Sequence, residues 1–156
     1  MSSARARSRP AVVLLVEDNP DHAFLTEEAF RAARVRLEIH NVTDGAQALR
    51  FLRRLPPYEA APHPDLILLD IHMPRVDGYE VMEEISRDQD LQSSVIVVLT
   101  TSSDILDVDR MYALGCTSYI TKPVKFSEFD EVVRRLGEYW FELVLLPEQV
   151  SALRDR

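Results

Sequence analysis

The sequence predicts an α/β fold, a doubly wound five-stranded parallel sheet with helices on both faces. Three observations point there. Short runs such as Val12–Val16, Leu66–Leu69 and Val95–Leu99 are apolar at every position, the pattern of strands buried on both sides. They alternate with longer segments of helical periodicity, and such alternation implies right-handed crossovers within one parallel sheet. The runs also end on polar residues, at Glu17, Asp70 and Thr100.

Each element has its own justification. After the first strand, Asn19-Pro20 is a helix start, Asn as cap and Pro in the first turn. Leu25, Ala29, Ala32 and Ala33 are expected on one face of that helix. Leu37–Val42 is the second strand, and the segment from Thr43 to Arg54 the second helix, with Ala48, Leu49, Leu52 and Leu55 apolar. Pro56, Pro57, Pro62 and Pro64 make the next stretch a loop. Met73-Pro74 and Asp77-Gly78 belong to the loop before a third helix bearing Val81, Met82 and Ile85. Ile105, Val108, Met111 and Tyr112 mark a fourth helix, which Gly115 ends. The segment from Thr117 to Thr121 is the fifth strand. A final helix starts near Phe126, with Phe126, Phe129, Val132, Val133, Leu136 and Trp140 as its core stripe.

Composition narrows the class. The length of 156 residues, 46% apolar, suits one domain. Lys and Arg number 18 against 26 acids, a net charge of -8, which argues against nucleic acid as a partner. One cysteine permits no internal disulfide and suits a reducing, cytoplasmic location, with Cys116 as a small buried residue. No apolar run is long enough for a membrane span, and residues 1–10 lack the apolar core of a secretory signal. Residues 1–10, with Arg5, Arg7 and Arg9, are expected to be a disordered tail, 11–147 one domain, and 148–156 a short tail. That length leaves no room for a separate output domain. His22, His40 and His63 show no zinc-type spacing, and His22, although near the site in the first helix, is expected at the surface.

Ligands of open α/β sheets bind beyond the strands' carboxyl ends. There the sequence places Glu17, Asp18, Asp70, Thr100 and Lys122. Clustered carboxylates repel one another, and a hard cation such as Mg²⁺, which prefers oxygen ligands, relieves this. A carboxylate can attack phosphorus to form an aspartyl phosphate. Lys122 would then pair with one phosphoryl oxygen and Thr100 donate a hydrogen bond to another. Read one at a time, Asp18 and Asp70 are also compatible with ordinary solvated strand ends. Thr100 to Ser103 are equally compatible with capping the following helix.

The runs Val13-Leu14-Leu15-Val16-Glu17-Asp18-Asn19, Leu68-Leu69-Asp70-Ile71-His72-Met73-Pro74, Leu99-Thr100-Thr101-Ser102 and Lys122-Pro123 together resemble the receiver domains of two-component response regulators. The resemblance implies strand order 2-1-3-4-5 and makes Asp70 the phosphoacceptor. It implies that Asp18 binds Mg²⁺ directly, Glu17 through water and His72 through its backbone carbonyl. It gives Thr100 and Tyr119 a switch role and makes Lys122-Pro123 a cis peptide. Glu17 stands where many members have Asp. The protein would then be a signalling phosphoacceptor rather than an enzyme, its phosphoryl donor a histidine kinase. The alternatives are a haloacid-dehalogenase-like phosphohydrolase, whose second Asp is replaced here by His72, and a receiver-like binding module that accepts no phosphate.

From Tyr139 to Leu146, Glu142 is the only charged residue. A terminal helix cannot bury apolar groups all round, so Tyr139, Trp140 and Leu143 are expected at a homodimer interface with the face of helix four, strand five and helix five. The alternative is that the chain tucks back on itself. This ending, the proline-rich loop and Thr100-Thr101-Ser102 resemble the stand-alone response regulators of bacterial and cyanobacterial phytochrome kinases.

Overall fold

The computed structural model describes residues 10–32 and 36–143. The elements are β1 (Ala11–Val16), α1 (Pro20–Arg31), β2 (Leu37–Val42), α2 (Gly45–Arg53), β3 (Leu66–Leu69), α3 (Gly78–Arg87), β4 (Ile96–Thr100), α4 (Ile105–Ala113), β5 (Ser118–Thr121) and α5 (Phe126–Gly137). A wider π-type helix, Glu138–Leu143, continues α5. All strand pairs are parallel, in the order β2-β1-β3-β4-β5.

Strand periodicity divides the core in two. Leu14 and Val16 pack with Phe51, Met82, Ile85 and Met111 beneath α2, α3 and α4. Ala11, Val13 and Leu15 face the other way, onto Phe30, Phe129, Val133 and Leu136 of α1 and α5. The inner strands β1, β3 and β4 are buried at every position. Asn19, Asp44, Asp77 and Asp104 cap the first four helices with their side chains. The cap of α4 is therefore Asp104 and none of the hydroxyls from Thr100 to Ser103. Gly115, at φ 103°, turns the chain out of α4 in a conformation that favours glycine.

Several expectations need correction. The face α1 buries is Ala23, Thr26, Ala29 and Phe30, with Ala32 exposed, because one phenylalanine offers far more apolar area than alanines. Leu55 is exposed, since Arg54 adopts a left-handed conformation that ends α2 before it. Phe126 lies in the first turn of α5 and is 62% exposed. Ala33, the tail residues Arg5, Arg7 and Arg9, the Leu143 side chain, and residues 144–156 fall outside the described residues.

The largest correction concerns Trp140. It is only 8% exposed and Phe141 only 5%, both packed into the α1–α5 core, with Phe141 edge-on to Phe30 at 6.2 Å. A π turn widens the helix and shifts its phase, so two successive aromatics face inward. Trp140 thus packs mainly on its own domain, as the tucked-back alternative expects, with its remaining surface lining an open groove beside Tyr139, which is 53% exposed. Trp140→Ala is expected to destabilise the monomer by about 3–5 kcal/mol. Chemical denaturation monitored by circular dichroism checks this, with a lower midpoint at unchanged slope.

Candidate functional site

The parallel sheet brings four strand ends to one edge. Backbone bonds fix them: the Asp70 amide donates to the Val16 carbonyl at 3.1 Å, and the Lys122 amide to the Thr100 carbonyl at 2.6 Å. Gly78 allows α3 to approach, because a Cβ there would lie 2.6 Å from the Asp70 carbonyl oxygen and 2.8 Å from the Ile71 Cα. Asp77 caps α3 and Gly78 opens it, so Gly78 is helical where a loop was expected, and the close approach bears directly on Asp70.

Glu17, Asp18 and Asp70 each place a carboxylate oxygen within 4.8 Å of the others. Glu17 and Asp70 are buried and Asp18 is exposed. The buried Lys122 ammonium donates to Glu17 Oε1, lies 3.5 Å from Asp70 Oδ2, and is 3.0 Å from His22 Nδ1. Asp70 Oδ1 accepts from the Ile71 amide at 2.8 Å, and Glu17 Oε2 from the Asn19 amide at 3.2 Å. Thr100 is fully buried, and its hydroxyl has no hydrogen-bond partner among the described residues. The His72 side chain is exposed.

Tyr119 is half-buried, and its hydroxyl donates to the Ser102 carbonyl at 2.8 Å. Lys122-Pro123 is trans, and the cis bond among the described residues is Pro56-Pro57. Trans is the lower-energy isomer, and here it already carries the Lys122 ammonium to both carboxylates. His22 is the residue sequence reasoning left at the surface. Its signal was position: the first turn of a helix capped at Asn19 overhangs the sheet edge.

Burial raises the Glu17 carboxyl to about 7, with the nearby Asp70 charge adding to the rise and Lys122 opposing it. Burial and then the Lys122 charge lower the His22 imidazole, which favours a neutral ring accepting from the ammonium. Three carboxylates facing one ammonium leave surplus negative charge. An oxygen-rich set of this kind suits a hard divalent cation. Glu17 and Asp70 both meet the ammonium, so a phosphoryl group on the less deeply buried Asp70 would have a cation beside it.

The model of the response regulator receiver domain matches residues 13–134. The chain belongs to the response regulator receiver family. Receivers are signalling domains, not enzymes of the ordinary kind. The chain is 38% identical over 138 residues to the response regulator Rcp1 of Synechocystis, covering 88% of this chain and 94% of Rcp1. The Mn²⁺-bound crystal structure of Rcp1 superposes with a TM-score of 0.85 over 88% of this chain and 99% of that one. The phosphorylated cyanobacterial phytochrome response regulator RcpA is 37% identical, with a TM-score of 0.86 over 89% of this chain and 99% of RcpA. A probable methanogenesis regulatory protein, FilR2 of Methanothrix harundinacea, is 39% identical over 131 residues, 84% of each chain. No helix among the described residues is long and apolar enough to cross a membrane.

The raised Glu17 carboxyl has a pH signature. The folded, metal-free protein holds that proton up to about pH 7, the unfolded chain only up to the ordinary value of 4.5. Stability therefore falls as pH rises through that window. A divalent cation requires the ionised form, so its binding strengthens over the same range. Thermal denaturation from about pH 5 to about pH 8, with and without Mg²⁺, should show Mg²⁺ stabilisation growing with pH. Glu17→Gln should flatten both trends.

Proposed function

We propose that this protein is a response regulator whose receiver domain accepts a phosphoryl group on Asp70. The observation that carries this reading is the buried Lys122 ammonium set against both Asp70 and Glu17, with Asp18 completing the carboxylate cluster. The donor is the phosphohistidine of a histidine kinase. Asp70 Oδ attacks phosphorus, the P–N bond breaks, and the released imidazole takes up a proton. Asp18, Asp70, Glu17 through water and the His72 carbonyl would hold Mg²⁺, which neutralises charge on the transferring group. Lys122 pairs with one phosphoryl oxygen. Thr100, whose hydroxyl is buried without a partner, supplies a hydrogen bond to another, and Tyr119 follows it as the second switch residue.

The similarity to the cyanobacterial phytochrome response regulator RcpA supports a phytochrome-type kinase as partner, and the net charge of -8 argues against nucleic acid; this reading puts the exchange in the cytoplasm. FilR2, equally similar and differently named, makes phosphotransfer profiling against candidate kinases the decisive measurement. Output runs through protein contact or onward phosphotransfer. We place homodimerisation on the α4–β5–α5 face and the C-terminal extension. Ile105, Leu106 and Tyr112 are exposed on α4, and Tyr139 flanks an apolar groove formed with Ile120, Val132 and Leu136.

Two experiments test these statements. A small acyl phosphate with Mg²⁺ should leave a hydroxylamine-labile phosphoryl group on the wild type and none on Asp70→Asn, while Lys122→Ala reacts about 10²-fold more slowly. Equal labelling of Asp70→Asn, or Mg²⁺ binding with no labelling of the wild type, rejects the phosphoacceptor role. For the dimer, Tyr139→Asp should sediment as monomer, and an unchanged dimer rejects that face.

A further inference from the structure

His22 lies beside the proposed site but belongs neither to the carboxylate cluster nor to the phosphoryl contacts. It sits in the first turn of α1, and its backbone is fixed at both ends. Its amide donates to Oδ1 of the Asn19 cap at 3.2 Å, and its carbonyl accepts from the buried Thr26 hydroxyl at 2.7 Å. The ring packs against Phe129 of α5, with centroids 6.0 Å apart. From there Nδ1 meets the Lys122 ammonium at 3.0 Å. An ammonium only donates, so Nδ1 is the acceptor and the neutral ring carries its proton on Nε2. The three N–H groups of the ammonium thus face three acceptors, Glu17 Oε1, Asp70 Oδ2 and His22 Nδ1.

We propose that His22 is a positioning residue, which keeps the Lys122 ammonium aimed at the phosphoryl site on Asp70. The inference rests on the phosphoacceptor reading above. Of the three acceptors, His22 alone is neither the attacking carboxylate nor a proposed metal ligand. When Asp70 takes a phosphoryl group and a cation draws on Glu17, His22 is the partner that stays with Lys122. A lysine side chain has many rotamers, and a fixed neutral acceptor selects among them without competing for the transferring charge. With an apolar side chain in place of His22, one N–H of a buried ammonium loses its partner, which is costly for a charged group. The ammonium then follows water admitted where the ring stood, and its aim loosens. Stabilisation of a transferring phosphoryl group depends on that aim being set in advance.

The test labels the full chain with a small acyl phosphate and Mg²⁺ and compares initial rates. The His22 side chain is 33% exposed, so the fold tolerates its replacement. His22→Leu keeps bulk against Phe129 and offers no acceptor; it should react about three- to tenfold more slowly than wild type. His22→Asn, whose Oδ1 stands near the place of Nδ1, should recover most of that loss. In a Lys122→Ala background, His22→Leu should change the rate by less than about twofold, because the group it aims is gone. A purely structural role predicts equal losses for Leu and Asn, and the same loss with or without Lys122. His22→Leu at the wild-type rate, no recovery in His22→Asn, or an undiminished loss in Lys122→Ala overturns the proposal. A wild type that takes no label is a separate result: it overturns the phosphoacceptor reading and the role of His22 with it.

Discussion

Lys122 carries its ammonium, almost wholly buried, to the point where the ends of β1 and β3 meet, against Glu17 and Asp70. Two buried carboxylates and an exposed third at one sheet edge would repel each other strongly in so dry a setting. The ammonium makes their proximity tolerable without neutralising it fully. That residual negative charge is what a divalent cation finds attractive. The interaction depends on the fold: Lys122 reaches this place because its amide is pinned to the Thr100 carbonyl, at the end of the neighbouring strand. Removing one member of such a buried set leaves the others uncompensated, so the cluster is held as a unit.

Burial of the inner strands does the rest of the positioning. With β1, β3 and β4 covered on both faces, the strand ends cannot slide without exposing Leu14, Leu68 or Val98. Gly78 completes the edge by letting α3 start directly behind Asp70. Geometry at Asp70 is thus set by packing several residues away, in both halves of the core.

Much of this was legible in the sequence, because strand burial and strand ends are local signals. Apolar runs stopping at Glu17, Asp70 and Thr100 marked the sheet edge, and Asn19-Pro20 marked the first helix. What was not legible depended on side chains meeting across the fold. Phe30 was overlooked because alanines at helical spacing look like a face, although the phenylalanine fills the space. Trp140 falls on the expected helical stripe, but Phe141 beside it also faces inward because of a π turn, which ordinary helical periodicity does not register. His22 gains its place at the site only from Lys122, 100 residues away in the chain.

The sheet separates two cores, and their aromatic residues divide unevenly. The single tryptophan, Trp140, lies on the α1–α5 side, while Tyr79, bonded to Asp107, belongs to the opposite layer. Intrinsic tryptophan fluorescence therefore samples the layer that holds α1, α5 and its π-type continuation, and not the layer beneath α2, α3 and α4. Because Tyr139 lies edge-on to Trp140 at 5.2 Å, a change in the Tyr79 signal that tryptophan does not share would locate motion on the opposite side of the sheet.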